Sequence, residues 1–258
     1  MSSLFGIEHK TALVTGGAQG MGRMIAEGLV RAGAKVYITS RKPDICENTA
    51  RELSRFGECL AIAADLNTPE AVVALANEIK SREPQLNILI NNAGRTWGAP
   101  LETFPDKAWA PVMAVNVQGP FTLVRELLQL LVAAASAEDP ARIINIGSLA
   151  GLRAERLSAY SYAASKAALH HLSRTLAADL AERNITVNSV VPGYFPTQMT
   201  AHIRKDDVEM HELLERVPLG RLGEADDVAG ACIFLSSRAG RYITGSELVL
   251  DGGMSGCR

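Results

Sequence analysis

Three side chains in one stretch of this sequence could move a proton. Tyr162 and Lys166 stand four residues apart, and Ser148 precedes the tyrosine by fourteen. Positions i and i+4 share one face of a helix, so the spacing predicts a phenol beside an ammonium, one turn apart. A free tyrosine titrates near 10, too high for a ready proton donor at neutral pH. A cation about 4–5 Å away, at an effective dielectric near 20, contributes roughly 3–4 kcal/mol, or about two to three pKa units. Such a neighbour would bring the phenol into the range useful for acid–base catalysis. An ordinary amphipathic helix carries the same two residues by chance often enough that the pair alone is a weak motif. The elements around it have to decide.

Ahead of it lies a glycine-rich turn. Residues 11–15, Thr-Ala-Leu-Val-Thr, read as a short buried strand, followed by Gly16-Gly17-Ala18-Gln19-Gly20-Met21-Gly22 and a helical pattern to Arg31. Strand, glycine loop and helix together suggest a phosphate site: glycines let backbone N–H groups approach closely, and the helix N-terminus adds positive partial charge. The spacing is Gly-x-x-x-Gly-x-Gly, not Gly-x-Gly-x-x-Gly.

The whole chain alternates between the two element types. Strands are predicted at 12–14, 35–39, 60–63, 88–90, 142–146, 186–190 and 247–250, and helices at 20–31, 45–56, 69–82, 107–132, 159–182 and 225–236. A break is expected ahead of Pro120. This order implies parallel βαβ crossovers and one α/β domain over 1–258: a Rossmann-type, doubly wound parallel sheet of about seven strands with helices on both faces. Residues 193–223 interrupt the alternation with prolines, glycines and a mixed-charge helical piece, and are expected to form a substrate lid. Its Tyr194, Phe195, Met199, Ile203, Met210, Leu213 and Leu214 would supply apolar cover.

Composition narrows the function classes. A net charge of −2 gives no electrostatic footprint for nucleic acid or an acidic membrane surface. The four cysteines are scattered, with no metal-ligand spacing, so no metal is expected. Free thiols fit a reducing, cytoplasmic setting. No signal peptide pattern opens the chain, and no apolar run is long enough to span a bilayer.

The second strand ends Ile38-Thr39-Ser40-Arg41-Lys42. A carboxylate at that point would select NAD by binding the ribose 2′-OH. None is present, and the Arg41 guanidinium suits a 2′-phosphate. NADP(H) is therefore the expected cofactor, with NAD(H) possible.

Taken together, Thr15-Gly16-x-x-x-Gly20-Met21-Gly22, Asp65-Leu66, Asn91-Asn92-Ala93-Gly94, Asn116, Ser148, Tyr162-x-x-x-Lys166, Pro192-Gly193 and Asp251-Gly252-Gly253 span nearly the whole chain. In order and separation they resemble the short-chain dehydrogenase/reductase family, classical type. The stretches Ile143-Ile144-Asn145-Ile146-Gly147-Ser148 and Ser165-Lys166-Ala167-Ala168-Leu169-His170 are most similar to RhlG-type 3-oxoacyl reductases. The resemblance implies hydride transfer between a nicotinamide and a ketone or secondary alcohol. Tyr162 would deliver the proton, Lys166 would lower its pKa and bind the nicotinamide ribose, and Ser148 would hold the carbonyl oxygen. Asn116 would kink its helix and hold a water near Lys166. Gly16, Gln19, Gly20, Met21 and Gly22 would cradle the phosphates, and Ser40 and Arg41 would read the 2′-phosphate. NADP-preferring relatives often place a second arginine in the glycine loop, where this chain has Gln19.

Asp65 would meet the adenine edge, with Leu66 beside it. Asn92, with Ala93 and Gly94, would lie by the ribose, and Asn91 would tie strands together. Pro192, Gly193 and Thr197 would border the nicotinamide. His170 and His171 are read as packing or surface residues. The implied substrate is a small-molecule ketone, best a 3-oxoacyl compound. A sugar or polyol dehydrogenase is the alternative, and a silent NADP-binding regulator a lesser one. A homotetramer, or a dimer, is expected through helices 107–132 and 159–182, with stripes at Leu123, Leu127, Leu130 and Leu131 and at Ala164, Ala168, His171 and Leu172. Carrier-protein reductases of the family dock their acidic carrier on basic residues. Here Glu138 and Asp139 stand at one such position, and Arg183 alone keeps a base at another.

Overall fold

The computed structural model describes residues 4–155, 157–197, 200 and 206–257. Seven parallel strands form one sheet in the order β3-β2-β1-β4-β5-β6-β7. They are β1 (Thr11–Val14), β2 (Lys35–Ser40), β3 (Cys59–Ala63), β4 (Ile88–Asn91), β5 (Ala141–Ile146), β6 (Ile185–Pro192) and β7 (Glu247–Leu250). Strands β1, β4, β5 and β6 are buried at every position, as expected where both faces of a parallel sheet are covered. The helices are α1 (Gly20–Arg31), α2 (Pro43–Leu53), α3 (Pro69–Arg82), α4 (Trp109–Met113), α5 (Gly119–Ala134), α6 (Leu149–Leu152), α7 (Tyr160–Leu180), α8 (Asp207–Glu215) and α9 (Ala225–Ser236).

Alternation along the strands divides the core in two. Val14, Val36, Ile88 and Ile144 meet Ile25 and Leu29 of α1, Leu53 of α2 and Cys232 of α9. Leu13, Leu89, Ile143 and Val187 meet Leu75 of α3, Leu127 of α5 and Leu176 of α7 on the other face. A buried polar chain locks α7 onto the sheet. Asn91 donates to the Asn145 Oδ1 at 2.8 Å, Asn145 donates to the Ser173 Oγ at 2.8 Å, and the Ser189 Oγ donates to the Ser173 Oγ at 3.0 Å. Asn91 thus ties β4 to β5, as the sequence predicts. Every link is satisfied, so the chain adds rigidity without an unpaired polar group.

Several expectations need correction. The helix predicted at 107–132 is broken into a 3-10 turn, α4, a π-helical turn at Ala114–Gln118, and α5. Pro120 has no N–H to offer the carbonyl of Asn116, and the widened turn just before it absorbs the mismatch. The α5 stripe is core rather than an open face: Leu123, Leu127 and Leu131 are buried and Leu130 packs against them. Of the predicted α7 stripe, Ala164 and His171 are exposed, and Ala168 and Leu172 are half-buried. In the segment expected to form a lid, Met199 and Ile203 lie outside the described residues. Phe195 and Leu213 are buried. A Cβ on Gly223 would fall 2.3 Å from the Phe195 ring, so Phe195 anchors the segment beneath it and gives no cover to a ligand.

Helix α1 rests on α9 through Gly28, where a Cβ would lie 2.4 Å from the Ala229 Cβ. Overpacking of this kind costs about 1–3 kcal/mol, and about 2–4 °C of Tm follows each kcal/mol in a chain of this size. Gly28→Val should therefore lower Tm by roughly 2–12 °C in calorimetry, and adding Ala229→Gly should recover part of the loss. An unchanged Tm in Gly28→Val would show that the two helices do not meet there.

Candidate active site

Strand β5 runs out at Ile146, and the next turn brings Gly147 and Ser148 to the end of the sheet. Ser148 caps the short α6, its Oγ accepting from the Ala150 N–H at 3.2 Å. The same hydroxyl lies beside the Tyr162 phenol and favours its ionised form. One turn further along α7, Lys166 is buried at 4% exposure. Its Nζ donates to the Ile146 carbonyl at 2.7 Å and stands 5.7 Å from the centre of the Tyr162 ring. The i, i+4 spacing thus places phenol and ammonium together.

The electrostatics differ from the sequence expectation. Burial pushes Lys166 down to about 8. Burial also pushes the Tyr162 phenol up, and the opposing influence is the Ser148 hydroxyl rather than Lys166. Desolvation disfavours the charged form of each group, so each leans toward its neutral form. The phenol is held as a proton donor and not as a phenolate.

Asn116 sits in the π-turn and is buried. Its Oδ1 accepts from the Arg95 N–H at 2.8 Å, and its Nδ2 donates to the Arg95 carbonyl and the Ser165 Oγ, both at 2.8 Å. Ser165 in turn donates to the Tyr162 carbonyl at 2.7 Å. Both amide protons are used, so the side chain braces α7.

The glycine loop closes tightly. Gly16 and Gly20 have φ of +63° and +53°, a region that L side chains rarely adopt. A Cβ on Gly22 would fall 2.3 Å from the Gly16 oxygen and 2.4 Å from the Asn92 Nδ2. Asn92 donates to the Thr15 and Gly16 carbonyls at 2.9 and 3.2 Å. The Thr15 hydroxyl accepts from the Asn92 and Ala93 N–H groups, both at 3.0 Å. Asn92, expected beside a ribose, therefore directs its amide into the loop and holds it shut. Gln19 precedes α1 in extended conformation without a side-chain cap, and no acid occupies the first turn. The first N–H groups of α1 and their positive end point at open space.

That space is a cleft of about 640 Å³ along the carboxyl ends of the strands. Every residue assigned above to the cofactor lines it except Gly193, where a Cβ would fall 2.9 Å from the Asp251 Cα. Arg41 is exposed at one end, and the Ser40 Oγ accepts from the Lys42 N–H at 3.2 Å. Asp65 turns its Oδ1 to the Asn67 amide at 2.6 Å. Thr197 crosses the other side, its Cβ 3.6 Å from where a Gly20 Cβ would stand. The volume is in the range of cofactor sites. The open helix end, glycine-rich loop and terminal guanidinium fit a phosphate-bearing dinucleotide.

Residues that the sequence reading did not single out also line the cleft. Arg95 reaches across to Asn67, NH1 to Oδ1 at 3.2 Å, with Trp97 nearby. Their position directly after Gly94 was the available signal. Among the described residues, no cluster of His, Cys, Asp and Glu could hold a metal ion, and no helix is long and apolar enough to cross a membrane.

A family model described as Enoyl-(Acyl carrier protein) reductase matches residues 16–255. The chain is 46% identical to the rhamnolipids biosynthesis 3-oxoacyl-[acyl-carrier-protein] reductase of Pseudomonas aeruginosa, over 98% of this chain and 99% of that one. It is 38% identical to the galactitol 2-dehydrogenase (L-tagatose-forming) of Cereibacter sphaeroides, over 97% of each. Among solved structures, the Pseudomonas aeruginosa RhlG/NADP active-site complex superimposes with a TM-score of 0.96 at 45% identity, over 98% of this chain and 99% of that one. A gluconate 5-dehydrogenase from Burkholderia cenocepacia, in complex with NADP and tartrate, gives 0.89 at 32%, over 98% and 97%. Sheet order, glycine loop, Ser148–Tyr162–Lys166 geometry and full-length similarity lead to one conclusion: the chain belongs to the short-chain dehydrogenase/reductase family of oxidoreductases.

Proposed function

We propose that this protein is an NADP(H)-linked reductase of 3-oxoacyl compounds. The observation that carries the reading is the half-buried Tyr162 phenol, beside the Ser148 hydroxyl, one turn from Lys166, and opening on a dinucleotide-sized cleft. The cofactor supplies the hydride when bound. Ser148 holds the substrate carbonyl oxygen beside Tyr162, as an oxyanion donor does. Tyr162, kept protonated by burial, gives its proton to that oxygen. Lys166 keeps a positive charge behind the phenol below about pH 8 and favours the phenolate as it forms. Asn116 steadies the Tyr162 turn through Ser165. Arg41 and Ser40 favour the 2′-phosphate of NADP(H), in line with the NADP held by the RhlG structure.

For the acyl group, the reading favours small or CoA-linked 3-oxoacyl compounds over carrier-protein-linked ones. Glu138 is exposed beyond α5, and Asp139 is held by Lys10 and Arg142. Arg183 is exposed at the end of α7. One base beside an acid is a poor match for an acidic carrier. A sugar or polyol substrate remains the second reading. It is favoured by one observation, that Phe195 and Leu213 of the lid are turned into the core. A homotetramer or dimer would use the outer faces of α5 and α7, where Phe121, Val132, Ala164 and His171 are exposed. The free thiols Cys46, Cys59, Cys232 and Cys257 favour the cytoplasm.

Three outcomes test this. Tyr162→Phe should lower turnover by at least about a hundredfold, the scale of a lost general acid, with NADPH binding nearly unchanged. Near-normal turnover would remove Tyr162 from the chemistry. Arg41→Ala should raise KM for NADPH by roughly 10- to 150-fold, the worth of a charged hydrogen bond to phosphate, and leave KM for NADH unchanged. Equal effects on both cofactors would contradict the 2′-phosphate assignment. In kcat/KM, acetoacetyl-CoA should at least equal the same acyl group on a carrier protein, and either should exceed gluconates and polyols. A large carrier advantage erased by salt would reveal a docking patch, and a polyol preference would establish the second reading.

A further inference from the structure

His170 is buried on the inner face of α7, at 2% exposure, one turn beyond Lys166. The chemistry proposed above makes no use of it. Its Nε2 accepts the backbone N–H of Ser148 at 3.3 Å. A nitrogen that accepts carries no proton, so the neutral ring is protonated on Nδ1. Nδ1 faces the Glu247 Oε2 of β7 at 3.9 Å. Glu247 is also bound by Arg174, from the next turn of α7.

A second observation is independent of that hydrogen bond. A Cβ on Gly147 would fall 2.2 Å from the His170 Nε2 and 2.9 Å from its Cδ2. The ring therefore occupies the space a side chain would take at Gly147. The backbone at 147–148 is pressed onto the imidazole, and the turn that aims Ser148 is shaped around it. A buried N–H left without its acceptor is costly, and misplacing a positioning group by about 1 Å can cost about a hundredfold in rate.

We propose that His170 is a positioning residue: its neutral imidazole fixes the Ser148 backbone and so sets the Ser148 hydroxyl against Tyr162. The inference rests on Ser148 as the group that holds the carbonyl. It implies a pH dependence with a definite sign. Protonation would turn Nε2 into a donor aimed at another donor, the Ser148 N–H. The charged groups facing the ring are Glu247 from β7, which favours the imidazolium, and Lys166 and Arg174 from α7, which oppose it. Burial, with Lys166 and Arg174 on its side, outweighs Glu247 and holds the imidazole below its ordinary 6.5. Activity should be flat from pH 6.5 up to the titration of Lys166 near 8, and fall as pH drops through the lowered value. Stability should fall in the same direction, because the unfolded histidine takes up its proton first.

The test compares the wild type with His170→Gln, which keeps an acceptor that does not titrate, and His170→Leu, which keeps bulk without one. His170→Leu should lose roughly 10- to 100-fold in kcat, with the NADPH Kd within about twofold of wild type, the scale left when no cofactor contact is lost. His170→Gln should recover most of that loss and lack the acid limb. Wild-type kcat and an unaltered acid limb in His170→Leu would overturn the proposal. So would a failure of Gln to outperform Leu. A second readout does not depend on turnover: the Ser148 amide resonance should titrate below pH 6.5 in wild type and not in His170→Gln. An amide that stays still in wild type overturns the proposal directly. If Ser148→Ala retains full turnover while the Ser148 amide still follows His170, the role given to Ser148 fails and the hold of His170 on the turn stands.

Discussion

A lysine ammonium taken out of water is the constraint on which this site turns. Lys166 meets the Ile146 carbonyl, at the last residue of β5, and burial alone drags it toward neutrality. Such a group persists only where the surrounding structure fixes its acceptor. That acceptor belongs to a central strand paired with both β4 and β6. The helix that carries the lysine is pinned to the same strands by the Asn91–Asn145–Ser173–Ser189 chain. Tyr162 inherits its place from this arrangement, since it lies one turn earlier on α7.

The binding half of the cleft obeys a matching logic on the other side of the sheet's switch point. The order of strands reverses between β1 and β4, and the loops there diverge and leave a crevice. Thr15 and Asn92 stitch the two loops together across it, and the missing side chain of Gly22 lets them close. The same amides that hold the loop shut leave the N-terminus of α1 open. Asn116 then joins the two halves. Through Arg95 it holds the segment after Gly94, and through Ser165 it holds the Tyr162 turn. Anchoring all of this at strand ends suits a site whose geometry must be kept to fractions of an ångström.

Features that depend on local pattern were legible in the sequence. Helices α3 and α9 begin and end where periodicity and caps place them: Thr68 caps the first ahead of Pro69, and Glu224 and Asp227 form a reciprocal cap on the second. The Tyr162–Lys166 juxtaposition was legible too, because an i, i+4 pair on a helix needs no knowledge of tertiary structure. Features that depend on burial were not. The direction of the Tyr162 shift turns on desolvation, which four-residue spacing does not report. Phe195 reads as an exposed lid aromatic until Gly223 is seen to sit over it. Pro120 signalled a break, but not that the break is a π-turn with Asn116 braced against Arg95 and Ser165. His170 reads as one more residue on a helix until Gly147 is seen to leave it room.

The most direct measurement of the central claim is the titration of Lys166 itself. Lysines labelled with 13C at Cε report each ammonium separately by NMR in the cofactor-free protein, and Lys166→Met identifies the resonance. The account predicts a pKa for Lys166 near 8, with a folded protein throughout and the Ser148–Tyr162 pair intact. A Lys166 that titrates at or above the ordinary 10.5 would mean that the ammonium is solvated or paired with an acid. The desolvated pair at the end of β5 would then not be the basis of this site.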